Sequence, residues 1–485
     1  MARSIIVQGK ELVEKAKREA AENVVSQSLN LLGHSSDKNY LRLAAAIERI
    51  AKGNREQEAS AAWIRKWIAE GPGAPYLQRV LKNVHPRMRK NFIAKLLVGV
   101  FFRPEDVWKR MQEQEGVAPP STLVISPTMR CNFSCTGCYA GNYTKADDMP
   151  AEMFDRVITE GKEMGMRFFT ISGGEPFIYP ALLDTFAKHN DCAFQVFTNG
   201  SLLTDAVCDE LLELGNVAPC ISIEGNREFT DERRGEGAYD HVLEAMDRLR
   251  ERGIVFAFSA TATRKNVDFI ISDEFVDEMI KRGAYYGWYF SYIPIGSAPN
   301  LDYMPTPEQR NRLRQGVIRA RTTKPMLLAD FWNDGAMTGG CISAGRVYMH
   351  INHRGDVEPC VFAHFATHNL RNSTLLDALK SPFFTAIRSK QPFNHNLLKP
   401  CPLIDNPKVM RWAVKNFGAY PTHPGAESLV TELADGLDKY SAELGAVYAP
   451  VWKKEYSHWA DTWNEGLWGE KYASLTEEGD PEKIN

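Results

Sequence analysis

Between residues 122 and 293 the chain alternates six short apolar runs with longer amphipathic segments, and no other feature restricts its fold as much. The runs are TLVIS (122–126), RFFTIS (167–172), AFQVFT (193–198), APCISI (218–223), VFAFSAT (255–261) and GWYFSYI (287–293), all of strand length. Between them lie AEMFDRVITEGKEMG, ALLDTFAKHN, DAVCDELLELG, AYDHVLEAMDRLRERG and FVDEMIKRG, each long enough for a crossover helix. Strand and helix in strict alternation predict an α/β fold with a parallel sheet and right-handed crossovers. Six units predict an open or partial (β/α)6 TIM-like barrel, short of the full eight.

At 485 residues the chain is too long for one core, so attachments to the barrel are expected. Residues 5 to 115 place apolar side chains at helical spacing in NYLRLAAAIERIAKG, AAWIRKWIAEG and PYLQRVLKNV, with Gly and Pro between. This predicts an all-helical N-terminal domain over 1–118, ending in the linker EQEGVAPPST, whose paired prolines cannot continue a helix. The barrel occupies 119–325. A domain over 326–406 opens with RVYMHINHRGDVEPCVF, which reads as a hairpin turning at NHRGD, and a helical tail over 407–485 carries Trp412, Trp452, Trp459, Trp463 and Trp468.

The first of those strands leads into MRCNFSCTGCYAG, where Cys131, Cys135 and Cys138 fall within eight residues. Nine cysteines in a long chain with no export signal at its start read as metal binding or catalysis before disulfides, in a reducing, cytoplasmic setting. Three thiolates at spacings of four and three suit a loop that ligates three of the four irons of a cubane cluster. Structural zinc is the alternative, but it takes four protein ligands, and the neighbourhood offers neither a fourth cysteine nor a histidine.

Cys131, Cys135 and Cys138 match the Cys-x3-Cys-x2-Cys hallmark of the radical S-adenosylmethionine superfamily, which this part of the chain resembles. The resemblance implies a 4Fe-4S cluster whose open iron holds the methionine moiety of S-adenosylmethionine. Reductive cleavage then yields a 5′-deoxyadenosyl radical that takes hydrogen from a substrate. SGGEP (172–176), FTNG (197–200) and ISIEGNREFTDERRGEGAYD (221–240) follow in the order the superfamily uses, one at each strand end. By the resemblance Gly173 and Gly174 permit close backbone approach, Glu175 accepts from the methionine ammonium, Asn199 faces the ligand, and Ser222 and Arg234 hold ribose or carboxylate with Glu224 nearby. Without that context Arg233 and Arg234 would read as a solvated pair. Gly137 stands where many relatives carry an aromatic residue against adenine, and Tyr139 is its candidate substitute.

GGCISAGRVYMHINHRGDVEPCVF, with Gly-x4-Cys at Gly355 to Cys360, resembles the start of the auxiliary-cluster extension called SPASM or its shorter twitch form. Cys341, Cys360 and Cys401 would hold one auxiliary Fe-S cluster, with Asp405, His350, His353, His364 or the substrate as fourth ligand. Such a cluster can accept an electron from a substrate radical, which implies oxidation or C-C/C-S bond formation. Cys192, Cys208 and Cys220 fall in apolar contexts and read as core.

The implied partners are a one-electron reductant such as flavodoxin or ferredoxin and a substrate that is a peptide or a lipid. The lipid reading comes from FIAKLLVGVFF (92–102) and the Trp-rich tail, which could shape an apolar groove or rest peripherally on a membrane. FIAKLLVGVFF is too short to span a bilayer. A net charge of -3 leaves no basic field for nucleic acid. An iron–sulfur electron-transfer protein without radical chemistry is the alternative function, but it would leave the strand-end motifs without a purpose.

Overall fold

The computed structural model describes residues 55–101, 105–141 and 148–458, with isolated positions between 19 and 48. Trp459, Trp463 and Trp468, and most of the chain before residue 55, lie outside the described residues.

The six expected strands form as β1 (Thr122–Ile125), β2 (Phe168–Ile171), β3 (Ala193–Thr198), β4 (Val217–Ser222), β5 (Ala257–Ala262) and β6 (Tyr286–Ser291), each parallel to the next. The sheet then grows at both edges. A seventh parallel strand, β7 (Leu327–Asp330), pairs with β6, so the barrel sheet continues past the boundary expected at residue 325. At the other edge β8 (Tyr348–Ile351) pairs in parallel with β1, Thr122 opposite Tyr348, and turns into β9 (Val357–Glu358). The expected hairpin forms, and its first strand is part of the barrel sheet.

Alternation along the strands explains the open interior. In β1 Leu123 and Ile125 are buried outward under the helices, while Thr122 and Val124 face inward. In β6 Tyr289 is buried outward while Trp288 and Phe290 face the same interior. The inward residues line a cavity of about 420 Å³.

The front helices, Arg55–Glu70, Gly73–Asn83, Pro86–Met88, Ala94–Phe101 and Glu105–Arg110, bear out the helical expectation for the described residues. They close the end of the barrel where the strands begin. Arg79 donates to the carbonyls of Ile280, Ala284 and Pro325, His85 N–H to Gly253 and Asn91 to Leu214, all just ahead of strands. The apolar stretch 92–101 lies here, with Phe92, Ala94 and Val98 buried in the core. Pro119 and Pro120 of the expected linker are buried, and Ser121 N–H donates to Val347 O at 2.7 Å. Among the described residues no helix is long and apolar enough to cross a membrane.

Candidate functional site

The loop carrying Cys131, Cys135 and Cys138 follows β1 at the carboxyl ends of the strands, the face where barrels of this type place their chemistry. Four neighbours fasten it. Gly174 N–H donates to Thr128 O at 3.0 Å and Glu175 N–H to Arg130 O at 2.8 Å, both from the end of β2. From the end of β3, Asn199 Nδ2 donates to Asn132 Oδ1 at 2.9 Å. Thr136 N–H reaches Arg233 O at 2.8 Å after β4, and Ser297 N–H reaches Cys138 O at 2.9 Å after β6.

Glycine is required where the loop meets the SGGEP turn. Gly173 sits at φ +121, and a Cβ there would stand 2.2 Å from Thr128 O; one on Gly174 would stand 2.2 Å from Arg130 O. The close approach these glycines permit is to the cysteine loop itself. Glu175 lies behind them, fully buried, where its carboxylate accepts from Phe177 N–H, Thr198 Oγ1 and Asn199 N–H at 2.8 to 3.1 Å. Burial pushes its pKa up to about 7. Its observed work is to tie the turn to β3; Gly173 and Gly174 form the cavity wall.

Gly137, at φ +65, has Tyr292 where its side chain would be: a Cβ would stand 2.7 Å from the ring's Cε2. The segment after β6 thus supplies the aromatic that the cysteine loop lacks. Tyr139 turns away from that position; its hydroxyl bonds Ser172 Oγ at 2.7 Å and its ring stacks on His364.

Ser222 lines the cavity with Arg233 and Arg234. Glu224 is buried and accepts from both guanidiniums through Oε1, including Arg234 Nε at 2.8 Å, and from Thr261 N–H through Oε2 at 3.0 Å. Burial alone would raise its pKa, yet the two arginines outweigh it and hold the carboxylate below the usual range. The arginines expected as a solvated pair without context are therefore half-buried, paired with Glu224 and on the cavity wall. Arg233 Nε is buried with no hydrogen-bond partner. Among the described residues the lining carries no Asp, Glu, His or Lys side chain.

Cys341 lies within electrostatic reach of both Cys360 and Cys401, and all three lie within reach of the Tyr348 hydroxyl. Ile342 next to Cys341, and Val361 and Phe362 one and two residues after Cys360, line the cavity beside Val347 and Tyr348. Tyr348 Oη donates to Cys360 Sγ at 2.9 Å.

Asp405, expected as a fourth ligand, is engaged otherwise. Both its oxygens accept from buried Arg310, and Oδ2 also takes Cys401 N–H at 3.0 Å, so it orients the cysteine segment. His350 is likewise committed, to Ser126 Oγ at 2.8 Å and to Glu358 Oε2 at 2.6 Å. His364 lies 3.7 Å from the same Glu358 oxygen, and His353 is buried. Cys192, Cys208 and Cys220 are fully buried in the core.

Glu358 yields a pH prediction. Its burial favours the neutral acid, but His350 and His364 prevail and bring the pKa down to about 2. A carboxylate depressed on folding adds stability above its unfolded pKa of about 4.5 and loses it as pH falls towards 2. Glu358→Gln should therefore flatten the acid limb of a stability–pH curve between about 4.5 and 2, removing on the order of 3 kcal/mol at neutral pH. Denaturant melts across that range check it.

Sequence reading missed Tyr292, Tyr348, Trp288 and Phe331 as wall residues. The inward period of β6 was a usable signal for Trp288 alone; the others follow from tertiary placement.

Residues 125–264 match the radical SAM superfamily, and 341–402 match an iron-sulfur cluster-binding domain, SPASM. The mycofactocin maturase MftC of Mycolicibacterium smegmatis is 28% identical over 52% of this chain and 67% of its own. The PqqA peptide cyclase of Streptomyces rochei is 26% identical over 57% and 78%, and an AdoMet-dependent heme synthase of Oleidesulfovibrio alaskensis 24% over 55% and 76%. Streptococcus suis SuiB bound to S-adenosylmethionine shares the fold, with a TM-score of 0.52 and 21% identity over 68% of this chain and 87% of that one.

The residues present fit the groups this family binds. Cys131, Cys135 and Cys138 are free thiols on the cavity wall, the donor set that a 4Fe-4S cluster takes as thiolates. The unpartnered Arg233 Nε supplies a buried donor for an anionic ligand. With both matched regions in place around one cavity, the chain is a radical S-adenosylmethionine enzyme that binds a 4Fe-4S cluster and S-adenosylmethionine and carries a SPASM iron–sulfur domain.

Proposed function

We propose that this enzyme oxidatively modifies, or forms a bond at, an apolar or aromatic side chain of a peptide. The observation that carries the reading is the cavity wall. Trp288, Phe290, Phe331 and Phe362 form its apolar side, and Arg233 and Arg234, both held by Glu224, are its only cations among the described residues. An uncharged side chain fits there, whereas a polycarboxylate such as a porphyrin would need further cations. The PqqA peptide cyclase among the relatives supports the peptide class.

Among the described residues Phe92, Ala94 and Val98 of the apolar stretch and Trp452 of the tail are buried, which weighs against the lipid reading. Bound at Cys131, Cys135 and Cys138, the cluster with S-adenosylmethionine supplies a reductively generated agent that abstracts hydrogen from carbon. The chain's own residues position the reactants. Arg233 and Arg234 hold the anionic or ribose end, Ser222 and Asn199 flank it, and Tyr292 offers a ring face for adenine. The aromatic wall orients the target and excludes water. The departing electron has its nearest acceptor site behind Tyr348 and Phe362, and an external one-electron donor such as flavodoxin or ferredoxin starts each turnover.

Arg234→Lys keeps the charge but loses the two-pronged contact with Glu224. It should raise the KM for S-adenosylmethionine about tenfold, measured from 5′-deoxyadenosine release.

The test of the function is deuterium transfer. Reduced, anaerobic enzyme is given S-adenosylmethionine and synthetic peptides with deuterated aromatic or branched aliphatic side chains. Deuterium in 5′-deoxyadenosine with loss of hydrogen from the peptide supports the reading. Transfer only from deuterated acyl chains in phosphatidylcholine vesicles overturns it.

A further inference from the structure

One residue, Tyr348, lies against both the cavity and Cys360. Tyr348 lines the cavity with its ring and donates its hydroxyl to Cys360 Sγ at 2.9 Å. The other donor to that sulfur is the N–H of Phe362 at 3.5 Å, also a wall residue. Tyr348 is 3% exposed and fixed at both ends. Its backbone pairs with Thr122 of β1, and its ring meets Phe331 edge-on at 6.1 Å. Phe331 in turn packs on Phe290 at 5.5 Å, so the aromatic wall runs unbroken to the phenol.

We propose that Tyr348 is the positioning residue that couples the substrate cavity to the auxiliary cluster. Its ring sets the substrate's distance from the Cys360 corner, and its hydroxyl tunes how readily that cluster takes an electron. The proposal rests on the reading of Cys341, Cys360 and Cys401 as cluster ligands. A hydrogen bond donated to a ligating sulfur offsets negative charge on it and raises the cluster's reduction potential. Phenylalanine at 348 would keep the wall and lose that donor. A buried phenol also needs a partner, and the sulfur is the one it has.

The experiment compares wild type with Tyr348→Phe, both anaerobically reconstituted, by a redox titration followed by electron paramagnetic resonance. The proposal expects equal iron per chain, an auxiliary-cluster potential moved to more negative values, and a roughly tenfold drop in product formed per 5′-deoxyadenosine released. An unchanged potential overturns it. Phe331→Leu disturbs the same ring without touching the hydrogen bond, and an equal potential shift there overturns the tuning role in favour of packing. Cys360→Ala separates the two levels of the argument. Loss of one cluster's iron supports the underlying reading, and undiminished iron overturns that reading and the proposal together.

Discussion

Replacing any one of Cys131, Cys135 or Cys138 by alanine should lower reductive release of 5′-deoxyadenosine by roughly a thousandfold or more. The reason is geometric. The three thiols occupy one loop fastened from the ends of β2 and β3 and from the segments after β4 and β6, and the loop offers no fourth cysteine to take over. The auxiliary thiols lie behind the wall built by Tyr348 and Phe362 and cannot substitute. Anaerobic iron analysis should show the loss confined to one cluster, and chromatography of the nucleoside products measures the activity.

The second large effect is expected from Gly174→Ala, a change of one methyl group that touches no ligand. The added carbon would stand 2.2 Å from Arg130 O, a backbone atom that cannot swing aside. The turn and the cysteine loop must separate, breaking the bonds from Gly174 and Glu175 N–H that seat the loop. A cost of roughly 3 kcal/mol in stability is expected, with iron retention at the first site falling at least tenfold. Thermal melts and iron content read the two effects separately. Gly99→Ala serves as the comparison, because its φ is not positive and its added carbon would meet only Arg167 Cβ, at an ordinary 3.4 Å.

The barrel was legible because each of its first six strands is a local apolar run bounded by turns and followed by an amphipathic helix. β7 was not, since its four residues follow a polar helix and carry no alternation that marks a strand. The hairpin of β8 and β9 was legible from its turn; the pairing of β8 with β1 joins segments more than two hundred residues apart and leaves no local trace.

In the site, spacing found the cysteines and order found the strand-end motifs. What side chains do there was harder to read. Glu175 has an acidic side chain in the expected place, yet β3 presents it with Thr198 Oγ1 and Asn199 N–H, which draw it inward. Asp405 stands four residues from Cys401, and only the arrival of Arg310 from a distant helix shows why it is engaged otherwise. Tyr292 fills the space that Gly137 leaves open, a complementarity visible only once the loops meet. The front helices were legible as helices, whereas their position under the barrel depends on Arg79 and Asn91 reaching carbonyls that precede distant strands.

The account depends on the loop of Cys131, Cys135 and Cys138 leaving one iron of a cubane open to S-adenosylmethionine. Electron paramagnetic resonance of the anaerobically reduced protein, recorded with and without S-adenosylmethionine, tests this most directly. The account predicts a reduced 4Fe-4S signal that changes shape when S-adenosylmethionine is added and disappears in Cys135→Ala. A signal indifferent to S-adenosylmethionine, or one that survives in Cys135→Ala with the same response, would contradict it.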